Sequence, residues 1–360
     1  MTYFTRIGNI YKITDENSVE VTKTLPVGNY IVKLDQISGQ FFLEKIDNFS
    51  FTGKRYGDLN RNVDRILSTF EKRSASTGVM LTGEKGSGKS LLAKMLSITA
   101  AEKGIPTLVI NSAWCGDLFN KFIQDIDHEC IVMFDEFEKI YDAEDQQRLL
   151  TLLDGMFPTK KLFVLTCNDK YRVDSHMRNR PGRIFCMIDF DGLGVDFIRE
   201  YCQDKLENKA LVEAVCQVSS LLPKFTFDQL QALVEEMNRY GEGPEDAMAM
   251  LNVKPEFNEP ERFDIGLVKP NGVVVPESEI SESTWRGNPL EIRNAAFGYW
   301  DQENKDQDGD GKYVSVDIRT SNIVSVEPND GVFKFKSDCG HVVTLTRPKY
   351  EKPSYFSLLA

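Results

Sequence analysis

The run Gly83-Glu84-Lys85-Gly86-Ser87-Gly88-Lys89-Ser90 concentrates more chemistry than any other part of the chain. It fits the P-loop pattern completely. It also lies where that pattern must lie, after the apolar run Gly78-Val79-Met80-Leu81 and before a helical stretch from Leu91 to Ala100. The glycines let the backbone fold round a β-phosphate with its N–H groups inward. The helix N-terminus adds positive potential, and Lys89 reaches the β- and γ-phosphates. The Ser90 hydroxyl is a ligand for Mg²⁺, so ATP and Mg²⁺ are the expected cofactors. A glycine-rich turn matching by chance would lack the strand before and the helix after.

A second cluster closes the apolar run Ile131-Val132-Met133-Phe134 with Asp135 and Glu136. Two acids at the end of a buried strand are costly unless something pairs with them, and magnesium and water are the natural partners. Asp135 would bind the metal through its water shell, and Glu136 would orient and deprotonate a water for in-line attack on the γ-phosphate. A strand ending in a solvated acidic loop gives the same letters, but after a P-loop at this distance the functional reading is preferred.

Here the sequence resembles the AAA clade of AAA+ ATPases, over roughly residues 55 to 253. Leu149 to Gly155 looks like that clade's helix-ending segment, and Thr166-Cys167-Asn168 like the polar end of its fourth strand. The resemblance implies that Asn168 contacts the γ-phosphate and the attacking water; the plain alternative is a turn cap. Arg180-Pro181-Gly182-Arg183 resembles the arginine-finger motif, in which both arginines reach the ATP of a neighbouring subunit and neutralise charge on the transferring phosphoryl group. The spacing from Asn168 is one residue longer than the clade's pattern, which leaves open which of Arg178, Arg180 and Arg183 serves. The resemblance further implies a homo-oligomeric ring, with a hexamer as the expected number. Trp114-Cys115-Gly116 resembles the pore loop of AAA unfoldases, where a rigid ring grips an extended polypeptide. A tryptophan packed at a strand end fits those three residues equally well.

The surrounding elements must position these groups. Thr107 to Asn111, Cys130 to Phe134 and Leu162 to Thr166 look like buried strands alternating with helices, which argues for a parallel sheet. Val195 to about Leu251 reads as helical, with Phe227, Leu230, Leu233, Val234 and Met237 at helix spacing. The fold expected is an α/β P-loop NTPase core, a parallel sheet with flanking helices, plus a small helical lid, between N-terminal and C-terminal small β domains. The boundaries are 1–54 for the N-terminal β domain, 55–194 for the core, 195–253 for the lid, 254–289 for a linker rich in proline and acids, and 290–360 for the C-terminal β domain. In the last of these, Asn329-Asp330-Gly331 reads as a tight turn in a meander. Asp306 to Gly311, with Asp317 beyond, matches half of a calcium loop, but an acidic hairpin loop is preferred because strand rather than helix follows.

Composition narrows the function. Hydrophobic residues at 41% and charged residues at 27% are ordinary for a folded soluble chain, and no apolar run is long enough to span a membrane. The N-terminus lacks the order of a signal peptide, which makes the cytoplasm the default. Seven cysteines at unpaired spacings read as free thiols, and a net charge of −12 argues against a protein that coats nucleic acid. The expectation is an ATP-hydrolysing ring motor that remodels or threads a protein partner. Its rivals are a nucleic-acid-directed motor and a nucleotide-switched assembly scaffold.

Overall fold

The computed structural model describes residues 2–7, 10–15, 20–154, 159–190, 192–220, 225–251, 261–305, 311–327 and 331–348. The chain divides into two compact units, Met1–Gly192 and Leu193–Ala360.

The first unit opens with β1 (Thr2–Ile7) and β2 (Ile10–Asp15), an antiparallel ribbon, and a second hairpin, β3 (Asn29–Asp35) and β4 (Gln40–Ile46). There follow α1 (Leu59–Lys72), β5 (Thr77–Gly83), α2 (Lys89–Glu102), β6 (Thr107–Ile110), α3 (Asp117–Gln124) and β7 (Cys130–Phe134). Then come α4 (Phe137–Ile140), α5 (Ala143–Leu153), β8 (Lys161–Cys167), α6 (Ser175–Arg178) and β9 (Cys186–Phe190). Seven strands form one sheet in the order β4-β3-β6-β7-β8-β5-β9, parallel throughout except for β4 at its edge.

The period-2 alternation of the strands sorts their side chains between two cores. Val79 and Leu81 face one side with Phe70 of α1 and Leu92 and Leu96 of α2, whereas Met80 faces the other with Phe119 of α3 and Leu149 of α5. Apolar residues on both faces are what a fully covered parallel sheet requires. Helix α5 starts where Asp142 accepts from the backbone N–H of Glu144 and Asp145, a side-chain cap for otherwise orphaned donors.

Within the β domain expected over 1–54, the β3–β4 hairpin is not part of a separate domain. β3 pairs in parallel with β6, and the Ser97 hydroxyl of α2 donates to Asn29 Oδ1 at 2.9 Å and accepts from the Thr107 hydroxyl at 2.8 Å, fastening both strands to the core. The boundary at residue 54 is therefore corrected: among the described strands before it, β3 and β4 belong to the sheet and β1 and β2 do not.

The second unit begins with four helices, α7 (Val195–Lys205), α8 (Val212–Ser220), α9 (Phe227–Tyr240) and α10 (Pro244–Met250). α9 has a capping box between Thr226 and Gln229 and ends at Gly241, whose φ of 68° closes the helix in the left-handed region. Arg199 of α7 pairs with Glu213 and Asp196. The β part comprises β10 (Glu261–Val268), β11 (Thr284–Gly287), β12 (Ala295–Lys305), β13 (Gly311–Ile318), β14 (Ile323–Glu327), β15 (Val332–Lys336) and β16 (Val342–Thr346). Five strands form an antiparallel sheet, β11-β10-β16-β15-β14, while β12 and β13 form a ribbon, and Phe263, Phe297, Val316 and Phe335 share one core. Because β10 and β11 belong to that sheet, the linker expected over 254–289 is corrected: from residue 261 onward it is part of the β domain.

Asn329 and Asp330 of the expected turn lie outside the described residues, as do Asp306 to Asp310 of the acidic loop. Asp317 sits in β13 opposite Ala296, so a strand stands where a calcium loop needs its exiting helix. Among the described residues no helix is long and apolar enough to cross a membrane.

Candidate functional site

Sheet order brings the catalytic candidates to one edge. β8 lies between β5 and β7, with Thr82 opposite Cys167 and Phe134 opposite Leu165. Gly83, Asp135 and Thr166 to Asn168 therefore emerge side by side at the C-terminal ends of parallel strands, where ligands of open α/β sheets bind.

The cradle is built around backbone. A Cβ on Gly83 would lie 2.3 Å from Phe190 O, and its φ of 139° is one that side chains rarely adopt, so glycine is needed twice over. Gly88, at φ 102°, turns the chain into α2. Lys89 is buried, and its ammonium donates to Gly83 O and Glu84 O, both at 2.7 Å. Burial lowers its pKa; Glu138 foremost, then Cys167, Glu84 and Asp135, pull it back up. Phosphate oxygens entering the loop could replace those two carbonyls, while the exposed Ser90 stands in the first turn of α2. Ser90 and Asp135 supply hard oxygen donors at the mouth of the loop, a set suited to Mg²⁺ with retained water.

Thr166 fixes the acids. Its hydroxyl donates to Asp135 Oδ1 at 2.6 Å and accepts from the Glu136 backbone N–H at 2.9 Å. Glu136 has φ 48°, the one positive φ outside glycine among the described residues, a conformation that costs energy and is retained mostly at functional sites. Its half-exposed carboxylate pairs with Lys139. That pair, more than the weaker contributions of Lys85 and the Asn168 side chain, holds its pKa below the ordinary value and favours the ionised carboxylate. Asn168 stands beside it on the adjacent strand end, with its backbone N–H and Nδ2 donating to Glu138 Oε1 at 2.9 and 3.0 Å. Glu138 was not singled out in the sequence. It is a buried carboxylate two positions beyond Glu136, brought inward by the single turn of α4.

The arginines occupy different environments. Arg183 is nearly buried: it is gripped by Asp154 through Nε at 2.9 Å and Nη2 at 2.5 Å, and its Nη1 donates to His176 O at 2.8 Å. Arg180 reaches the same carboxylate at 3.4 Å and is 62% exposed, so it projects further. Arg178 turns inward, its Nε donating to Val173 O at 2.9 Å. Arg180 and Arg183 line a cavity of about 450 Å³ with Leu150, Ser175, His176 and Asn179. Gly155 of the preceding segment lies outside the described residues.

Trp114 is packed against its own subunit. Its Nε1 donates to Val32 O at 3.1 Å, its ring meets Phe41 edge-on with centroids 5.4 Å apart, and it packs against the core beside α3. Of its two sequence readings, the packed strand-end ring is the one adopted. Exposure on a mobile loop would need both contacts broken.

Residues 79–191 match the model of the ATPase family associated with various cellular activities (AAA). A comparison with curated proteins finds no match. Similar solved structures include three of Thermotoga maritima RuvB. A threonine-to-valine variant is 15% identical, with a TM-score of 0.41, over 56% of this chain and 72% of that one. The Holliday junction branch migration motor is 16% identical, with a TM-score of 0.40, over 56% and 72%. A proline-to-glycine variant is 16% identical, with a TM-score of 0.40, over 56% and 73%.

Proposed function

With residues 79–191 an AAA-type P-loop NTPase segment, we propose that the chain binds and hydrolyses ATP and works as the subunit of a ring that remodels a protein partner. The observation that carries the reading is the convergence of Lys89, Asp135, Glu136 and Asn168 at the ends of β5, β7 and β8. The cradle's backbone N–H groups and Lys89 bind the phosphates, Glu136 takes a proton from the attacking water, and Asn168 stands next to that base. Ser90 and Asp135 would hold Mg²⁺, which would supply positive charge to the phosphates when bound.

Arg180 and Arg183 support the ring. Neither is bonded to its own cradle, and one of them projects, as residues serving a neighbour's nucleotide should. A protein client is favoured over nucleic acid by the net charge of −12. The packing of Trp114 favours one second reading, a nucleotide-switched scaffold in which turnover resets a conformation instead of pulling a chain.

Mixing tests the shared site. Arg180→Ala protein brings a sound cradle, and Lys89→Ala protein brings sound arginines. Mixed rings should regain part of the activity that each lacks alone. No gain despite demonstrated subunit exchange would remove the arginines from the neighbour's site, and with them the support for a ring.

A further inference from the structure

We propose that Glu138 is a positioning residue for hydrolysis, holding the Asn168 carboxamide in the orientation that leaves its carbonyl oxygen for the attacking water. The proposal rests on the ATPase reading above.

Both donors of Asn168 meet one atom. Glu138 Oε1 accepts the backbone N–H at 2.9 Å and Nδ2 at 3.0 Å, so the base and the tip of this short side chain are tied together. An ionised carboxylate only accepts, so the amide nitrogen must face it; a reversed amide would set Oδ1 against Oε1, two acceptors in contact. With Nδ2 turned toward Glu138, Oδ1 is the end of the amide directed away from that carboxylate.

An attacking water needs one group to take its departing proton and another to aim the remaining hydrogen so that a lone pair points at phosphorus. Glu136 is the first, and Asn168 Oδ1 is the second.

The burial of Glu138 points the same way. It is 4% exposed, and its Oε2 has no hydrogen-bond partner among the described residues. A buried carboxylate with an orphaned oxygen is destabilising, and a glutamine could accept the same two bonds without a buried charge. Glutamine, however, would hold both bonds on one neutral oxygen, a weaker acceptor than a carboxylate, so the Asn168 amide would be less firmly oriented. The negative charge makes the orientation firm.

The test is a double-mutant cycle in the full chain, reading kcat for phosphate release, affinity for a fluorescent ADP analogue and thermal midpoint. Glu138→Gln should lower kcat about ten- to hundredfold, the scale of losing one oriented polar contact to the reacting centre. ADP affinity should stay near the wild-type value, because ADP makes no use of the γ side, and the midpoint should not fall, because the substitution removes a buried charge. In an Asn168→Ala background, Glu138→Gln should change kcat by less than about twofold, since the group it acts through is gone. A wild-type kcat in Glu138→Gln overturns the proposal. Fully additive losses overturn it as well, as does a kcat loss matched by falls in ADP affinity and midpoint, which marks a packing role. Wild-type protein and Glu136→Gln run alongside. If wild type releases no more phosphate than Glu136→Gln, the ATPase reading falls and this proposal with it; if wild type is active, only Glu138 is at stake.

Discussion

Gly78 of β5 links the sheet to the arginine loop through backbone alone, and Gly78→Ala is the sharpest available perturbation of that link. Gly78 O accepts from Phe185 N–H at 2.8 Å. A Cβ placed on Gly78 would lie 1.9 Å from Arg183 O and 2.9 Å from Arg183 C, where ordinary contact begins at 3.4 Å. Both obstacles are main chain, so no rotamer relieves them. β5 is held between β8 and β9 and resists retreat, which leaves the segment at Arg183 to move. Overpacking of this kind costs about 1–3 kcal/mol, and losing the Phe185 bond adds about 1 kcal/mol. In a unit of this size each kcal/mol lowers the midpoint by about 2–4 °C. Arg183 would be shifted off Asp154 and His176 O, so turnover should drop while the cradle still binds ADP. Gly182→Ala is the control, because a Cβ there meets nothing within 4 Å. Thermal denaturation, ADP binding and phosphate release check the three parts. A Gly78→Ala protein with wild-type midpoint and turnover would refute the argument, as would equal damage from Gly182→Ala.

Trp114→Ala should destabilise the first unit by about 2–4 kcal/mol in chemical denaturation, somewhat below the loss for a fully buried ring. Unchanged stability with lost client handling would instead restore the pore reading. The Asp154 carboxyl is held below its ordinary range first by hydrogen bonds from Arg183, with the charges of Arg183 and Arg180 adding and burial opposing. A folded-state pKa below the unfolded one gives stability that is present above the ordinary aspartate value and lost as pH falls through the folded one. The midpoint gap between wild type and Asp154→Asn should thus be full above about pH 4 and close on further acidification. A gap independent of pH would place the Asp154 contribution elsewhere.

Much of the site was legible because its chemistry depends on local spacing. The glycines of the cradle and the apolar run before Asp135 describe their own secondary structure, and both fall in the strands and turns expected. The partner of β3 was not legible. Its alternation specifies a hairpin, but the parallel pairing with β6 is a long-range contact that no local pattern encodes. β10 was hidden for another reason: Phe263, Ile265 and Leu267 alternate as a strand should, but they sit in a stretch whose prolines and acids read as linker. Glu138 escaped notice because an acid following Phe137 looks like a solvated helix start, and only the turn of α4 shows that it points inward. Trp114 was ambiguous in principle, since three residues of loop cannot say whether Phe41 and Val32 O lie within reach.

The central claim is hydrolysis at the junction of Lys89 and Glu136, and single-site trapping of labelled ATP tests it most directly. Wild-type protein incubated with γ-labelled ATP and Mg²⁺ should release phosphate. Glu136→Gln protein should retain intact ATP, because the cradle is unchanged while the water loses its base. Lys89→Ala protein should retain no nucleotide. Phosphate release by Glu136→Gln at the wild-type rate, or wild-type ATP affinity in Lys89→Ala, would contradict the account.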